Sequence, residues 1–310
     1  MEKRTFILKL AAVCSFIVLL HAAMIPFVDG TILIYFNKCS SPKQHSLIIG
    51  TSRASQALMP SVFKDSLGID ILNFAFNGTT SPYSKVYSNA IHEKLADNST
   101  KGTFILCVEP WSIGELLDSI TGETKFPEEK NILNKLHFFN GYPNVEFIAK
   151  DYDQGWGNIA YTRWRKNSSI TGHEDGWIEV MREIDSTDIV KRTKGKADGM
   201  RNTLPNFRLS PERLDELKLL IAQLENRGDV YLVRLPVSNT IFEIEQEFYP
   251  AFDSLISSIS STYNAAYFNM QPLHEEMIYN DGHHINREYS PKCSALIASW
   301  MKGVATKGKK

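Results

Sequence analysis

The chain has little cysteine and almost no net charge, and each scarcity excludes something. Four cysteines in 310 residues do not make a disulfide framework. Cys14 and Cys107 lie in apolar runs, which leaves Cys39 and Cys293 as a pair that the spacing does not require. Lys and Arg total 34 against 35 Asp and Glu, a net charge of −1. No electrostatic case for nucleic acid follows from that balance. There is no Gly-rich phosphate loop, no zinc-type Cys/His spacing and no internal repeat, so neither a cofactor nor a metal is expected. What remains, 43% hydrophobic and 22% charged, is ordinary globular composition.

The amino terminus bears on location. Glu2, Lys3, Arg4 and Lys9 precede an uncharged run over residues 10–28, interrupted only by His21. Such a run has the length of a helix spanning ~30 Å of hydrocarbon. Its basic flank predicts that the rest of the chain lies outside the cytoplasm. A cleaved signal peptide is the competing reading, and Pro26-Phe27-Val28 is a poor cleavage context for it. We therefore expect a membrane anchor over 1–30, a linker over 31–45, a folded domain over 46–301 and a basic tail over 302–310.

Residues 46–49 read as a buried strand entering the turn Gly50-Thr51-Ser52, with Arg53 and a helix-compatible run after it. Further strands are predicted over 70–76, 103–108, 230–235 and 265–268. Helices are predicted over 82–96, from Ser210 to Gly228, over 242–263 with a break near Pro250, and over 289–301. This alternation implies a three-layer α/β/α fold with a mainly parallel sheet. Residues 112–206 break the pattern. They are polar, Gly-studded and aromatic, and read as an inserted subdomain over the carboxyl edge of the sheet. Trp156, Trp164 and Trp177 within it are candidates to wall a groove, against the plainer reading that they fill the insertion's own core.

Ligands bind at the carboxyl edge of an open α/β sheet. Ser52 falls there, and so does the loop Asp281-Gly282-His283-His284 between the last strand and the last helix. A hydroxyl needs a base to become a nucleophile, and an imidazole needs an acceptor to fix its tautomer. Ser52, His284 and Asp281 have those chemistries. Two plainer readings compete: Ser52 as a helix cap, and the Asp/His loop as a metal pair or surface polarity. Arg53, Glu109 and Trp111 are weaker candidates for binding substrate, with structural pairing as the alternative for Arg53 and Glu109.

The blocks Gly50-Thr51-Ser52, Asn73 to Gly78 and Asp281-Gly282-His283-His284 together resemble the SGNH/GDSL hydrolase superfamily. The resemblance covers about residues 46–111 and 210–301. It implies a catalytic Ser52–His284–Asp281 triad, with the N–H groups of Ser52 and Gly78 as oxyanion donors. It departs from the family in lacking the Gly-Asp-Ser wording, and in having Glu109 where an Asn donor is usual. A membrane-anchored member of this kind is similar to SGNH proteins of cell-surface polysaccharide O-acylation. The resemblance thus implies acyl-ester chemistry, O-acetyl transfer or deacetylation, on an extracytoplasmic polysaccharide, beside a membrane-bound O-acyltransferase. The rival from another class is a non-catalytic scaffold or glycan-binding partner of such an acyltransferase.

Overall fold

The computed structural model describes residues 2–24, 30–76, 81–97, 100–118, 120–151 and 169–307. Five strands form one parallel sheet: β1 (Leu47–Ile49), β2 (Leu72–Asn73), β3 (Gly102–Cys107), and later β9 (Gly228–Arg234) and β10 (Ala266–Asn269). Their order across the sheet is β2-β1-β3-β9-β10. It reverses direction between β1 and β3, which makes the carboxyl ends of those two strands the topological switch point.

Side chains alternate between the two faces of the sheet. Leu47, Ile49, Phe104, Leu106, Val230 and Leu232 join one core. Ile48, Ile105, Cys107, Tyr231 and Val233 join the other. The first face packs against α2 (Gly30–Ser40), α5 (Lys85–Lys94), α8 (Pro211–Glu225) and α10 (Phe252–Thr262). The second packs against α3 (Ser52–Ala57), α4 (Pro60–Leu67) and α11 (Ser290–Lys307). Cys39 and Cys293 lie in opposite cores with the sheet between them, so they form no disulfide.

Several local signals act as the sequence predicts. Ser210 caps α8 by accepting from the Arg213 N–H, with Pro211 at the first helical position. Residues 242–263 split into α9 (Asn239–Phe248) and α10, and Pro250 falls in the gap.

The amino-terminal expectations change. α1 runs Glu2–Met24 and exposes Phe6, Ile7, Leu8, Val13, Phe16 and Leu19. Its uncharged part, residues 10–24, makes only about 22 Å of helix at 1.5 Å per residue, and residues 25–29 lie outside the described residues. Among the described residues, no helix is long and apolar enough to cross a membrane. Residues 31–45 are not a linker. α2 buries Ile34, Phe36 and Cys39, and even Lys38 is buried, donating to the Ala75 carbonyl. A polar string reads as a linker, but a lysine that meets a backbone acceptor can be buried.

The insertion is built from short pieces. β4 (Gly114–Leu117), β5 (Thr124–Lys125) and β8 (Phe207–Leu209) form an antiparallel sheet in the order β5-β4-β8. A short helix, α6 (Val145–Asp151), follows β5, and β6 (Ile170–Gly172) pairs with β7 (Ile178–Val180) as a hairpin. The hairpin loop reaches the β2 edge, where Asn73 N–H donates to Asp175 O at 2.8 Å. That contact covers an edge strand that would otherwise present unpaired backbone. The long helix α7 (Ser186–Thr203) packs on α9 and on the loop before α11.

Candidate active site

The turn after β1 is set by close packing. A Cβ at Gly50 would stand 2.6 Å from Ala54 Cβ and 2.9 Å from Cys107 Cβ, so only glycine lets α3 start this close to β3. Thr51, rather than Ser52, is the cap residue: its Oγ1 accepts from Arg53 N–H at 3.3 Å. Ser52 is thus the first residue of α3, with its side chain free for other work. Its Oγ lies 2.9 Å from His284 Nε2.

The partner loop is equally constrained. Asp281 Oδ1 accepts from His283 N–H (3.1 Å) and His284 N–H (2.8 Å). Its Oδ2 stands 2.9 Å from His284 Nδ1. That contact fixes Nδ1 as the protonated nitrogen, which leaves Nε2 with a lone pair toward Ser52. Burial alone would raise the Asp281 pKa, but the hydrogen bonds and charge of His284, with the two backbone N–H groups, hold it at about 2. Gly282 sits at φ +73°, and a Cβ there would meet Ser238 Oγ at 2.6 Å and Thr193 Cγ2 at 2.7 Å. Arg192 of α7 donates to Asn280 O at 2.7 Å, and Ser238 N–H donates to Gly282 O at 2.9 Å. The loop is therefore clamped from two sides.

Beneath the turn lies a buried ion network. Arg53 meets Glu109 Oε2 at 2.6 Å and Glu245 Oε1 at 2.5 Å. Glu245 also pairs with Arg234 (2.7 Å), which pairs with Asp253 (2.5 Å). Thr51 Oγ1 donates to Glu109. Arg53 Nη2 also reaches His283 Nδ1 at 2.9 Å. Burial lowers the His283 pKa well below the ordinary value, and the Arg53 and Lys196 charges act in the same direction. His283 is thus neutral and accepts from Arg53. The two adjacent imidazoles stand at 77° to each other. Among the described residues, no group of three or more His, Cys, Asp or Glu could hold a metal ion.

These contacts correct several expectations. Arg53 does not line the cavity beside Ser52; it is consumed by Glu109, Glu245 and His283. Glu109 lines that cavity while paired, and Trp111 lines it while stacked on Phe248 at 14°. Trp177 does not face the cavity. It is buried, donates from Nε1 to Gln56 O at 2.8 Å, and so fastens the β6–β7 hairpin to α3. Trp156, Trp164 and the expected oxyanion donor Gly78 lie outside the described residues. Ser52 N–H, in the first turn of α3, has no intrahelical acceptor and remains available to an oxyanion.

A cavity of about 420 Å³ opens beside Ser52, within the usual range for small-molecule sites. Ser52, Glu109 and His283 form one side, while Trp111, Met200 and Phe207 give it an apolar side. Helix α7 contributes Met200 together with Gly195, Lys196, Gly199 and Thr203. No sequence signal singles out Lys196 or the network acid Glu245, because each sits in a helix as one charge among several. Compared with protein-family models and with curated proteins, the chain matches none.

Proposed function

We propose that the protein carries out serine-dependent acyl-ester chemistry, O-acyl transfer or deacylation, on an extracytoplasmic polysaccharide. The observation that carries this reading is the continuous chain Ser52 Oγ–His284 Nε2, His284 Nδ1–Asp281 Oδ2, at 2.9 Å for each step, opening on a cavity. Ser52 Oγ attacks the acyl carbonyl and passes its proton to His284 Nε2. The imidazolium so formed is stabilised by the Asp281 carboxylate. Ser52 N–H, and Gly78 N–H by resemblance to the SGNH/GDSL superfamily, hold the oxyanion. His284 then gives the proton to the departing sugar hydroxyl, leaving an acyl group on Ser52. A second acceptor, water or another sugar hydroxyl, gives its proton to His284 and takes the acyl group; the acyl–Oγ bond breaks and His284 Nε2 returns the proton to Ser52 Oγ, which restores the enzyme.

The exposed apolar side chains of α1 support attachment to a membrane. By resemblance to the SGNH proteins of polysaccharide O-acylation, the partner proposed at that membrane is a membrane-bound O-acyltransferase, as donor or acceptor of acyl groups. The test is twofold. Incubation with an activated acetyl ester should add one acetyl mass to Ser52, and cell fractionation should recover the protein with membranes. Absence of both an acyl-enzyme and ester turnover in the wild type, with the fold intact, would reject the chemistry. Recovery of the full-length chain in the soluble fraction would reject the attachment.

A further inference from the structure

Among the charged side chains that line the cavity beside Ser52, Lys196 stands apart. Glu109 has its oxygens engaged by Thr51 and Arg53. Arg213 pairs with Glu128 at 2.5 Å and with the Gly114 carbonyl. Lys196 has no hydrogen-bond or ion-pair partner among the described residues, although it lines the same cavity and feels the charges of Asp281, Arg53 and Glu109. Asp281 is no competitor for it, since its oxygens already receive His284 and two backbone N–H groups. An ammonium has three donors, and here the cavity is what they face.

The helix that carries Lys196 is built to leave room beside it. Gly195 and Gly199 lie one turn apart in α7 and line the cavity, and a Cβ at either would meet nothing within 4 Å. Glycine inside a helix is destabilising relative to alanine, and no close neighbour demands it at these two positions. The bare helix face keeps the cavity open toward Lys196. Trp111 and Phe207 from other elements, with Met200 one turn along from Lys196, supply apolar surface of the kind that covers the C–H face of a sugar ring.

We propose that Lys196 recognises a negative charge, a carboxylate or a phosphate, on the glycan that enters this cavity. The proposed substrate is therefore an acidic sugar rather than a neutral one. Burial lowers the Lys196 pKa; Asp281 opposes this, Arg53 adds to it and Glu109 opposes it. An anion bound at Lys196 would stabilise its charged form.

The inference takes from the proposed function only that the ligand is a glycan. Its test is calorimetric titration of the full chain with glucuronate, glucose 6-phosphate and glucose. Glucuronate or glucose 6-phosphate should bind at least about tenfold more tightly than glucose, the discrimination expected of one charge-assisted contact. Whichever of the two binds more tightly tells carboxylate from phosphate. Lys196→Gln should abolish the preference and Lys196→Arg should retain most of it, which a merely structural lysine would not do. Gly199→Leu, which fills the open face without removing charge, should weaken binding of all three sugars. Equal binding of charged and neutral sugars, absence of binding by all three, or a preference that survives Lys196→Gln would overturn the inference. Labelling of Ser52 in the same preparations separates this result from the acyl chemistry. Labelling without Lys196-dependent binding overturns the inference alone, and Lys196-dependent binding without labelling supports it while counting against the nucleophile.

Discussion

Arg53 sits one residue from Ser52, yet its side chain is 4% exposed and pairs with acidic side chains that are 7% (Glu109) and 0% (Glu245) exposed. Replacing it by Met keeps the approximate volume and removes the charge. Glu245 would retain Arg234 at 2.7 Å, but Glu109 would lose its cationic partner and keep neutral donors such as the Thr51 hydroxyl. Removing one partner of a buried pair costs about 3–5 kcal/mol, because the other charge stays buried without compensation. For a domain of this size each kcal/mol lowers Tm by roughly 2–4 °C, so Arg53→Met should melt about 6–20 °C below wild type. The double variant Arg53→Met/Glu109→Gln removes the stranded charge and should recover a large part of that loss, a coupling that a double-mutant cycle measures. Thermal unfolding followed by circular dichroism is the assay. A Tm within about 2 °C of wild type, accompanied by lost ligand binding, would refute the reasoning and return Arg53 to the substrate.

Three further outcomes follow from the site. Asp281→Asn preserves shape but lets the wrong tautomer of His284 form, so turnover of an activated ester should fall by roughly 10³–10⁴-fold with the fold intact; steady-state kinetics check this. Gly282→Ala forces a Cβ onto Ser238 and Thr193 at a φ of +73°, and denaturant unfolding should show a loss of about 1–3 kcal/mol. The pH dependence of stability should carry the signature of His283, whose folded pKa lies well below its ordinary 6.5 through burial and the neighbouring Arg53 charge. Below about pH 6.5 the unfolded chain binds a proton that the folded chain refuses, so stability should fall as pH drops through that region. His283→Gln should flatten the slope there. Asp281 contributes none of it, since its contribution is complete above about pH 4 and is lost only as pH falls toward about 2.

The sheet and the two chemical loops were legible because their signals are local. An apolar run ending in Gly50-Thr51-Ser52 makes a strand and turn, and Asp281 with His284 three residues later can meet without help from elsewhere. The insertion was legible only as an interruption. Its strands are two to four residues long, too short to carry a period of two. The network under Ser52 was illegible for another reason. Glu245 looks like one more polar residue of an amphipathic helix, and only the tertiary approach of Arg53 and Arg234 makes it a buried charge. Trp177 was misplaced because aromatic content states how much surface is available and not which neighbour covers it. A linker reading of Lys38 fails for the same reason, since its partner, the Ala75 carbonyl, is 37 residues away.

The proposed function rests on Ser52 being an activated nucleophile. The most direct measurement is intact-mass and peptide-level detection of a fluorophosphonate adduct on the folded protein. One adduct is expected, located at Ser52, absent in Ser52→Ala and formed far more slowly in His284→Ala, with all variants melting cooperatively. No adduct on folded wild type, or an adduct that persists in Ser52→Ala, would contradict it.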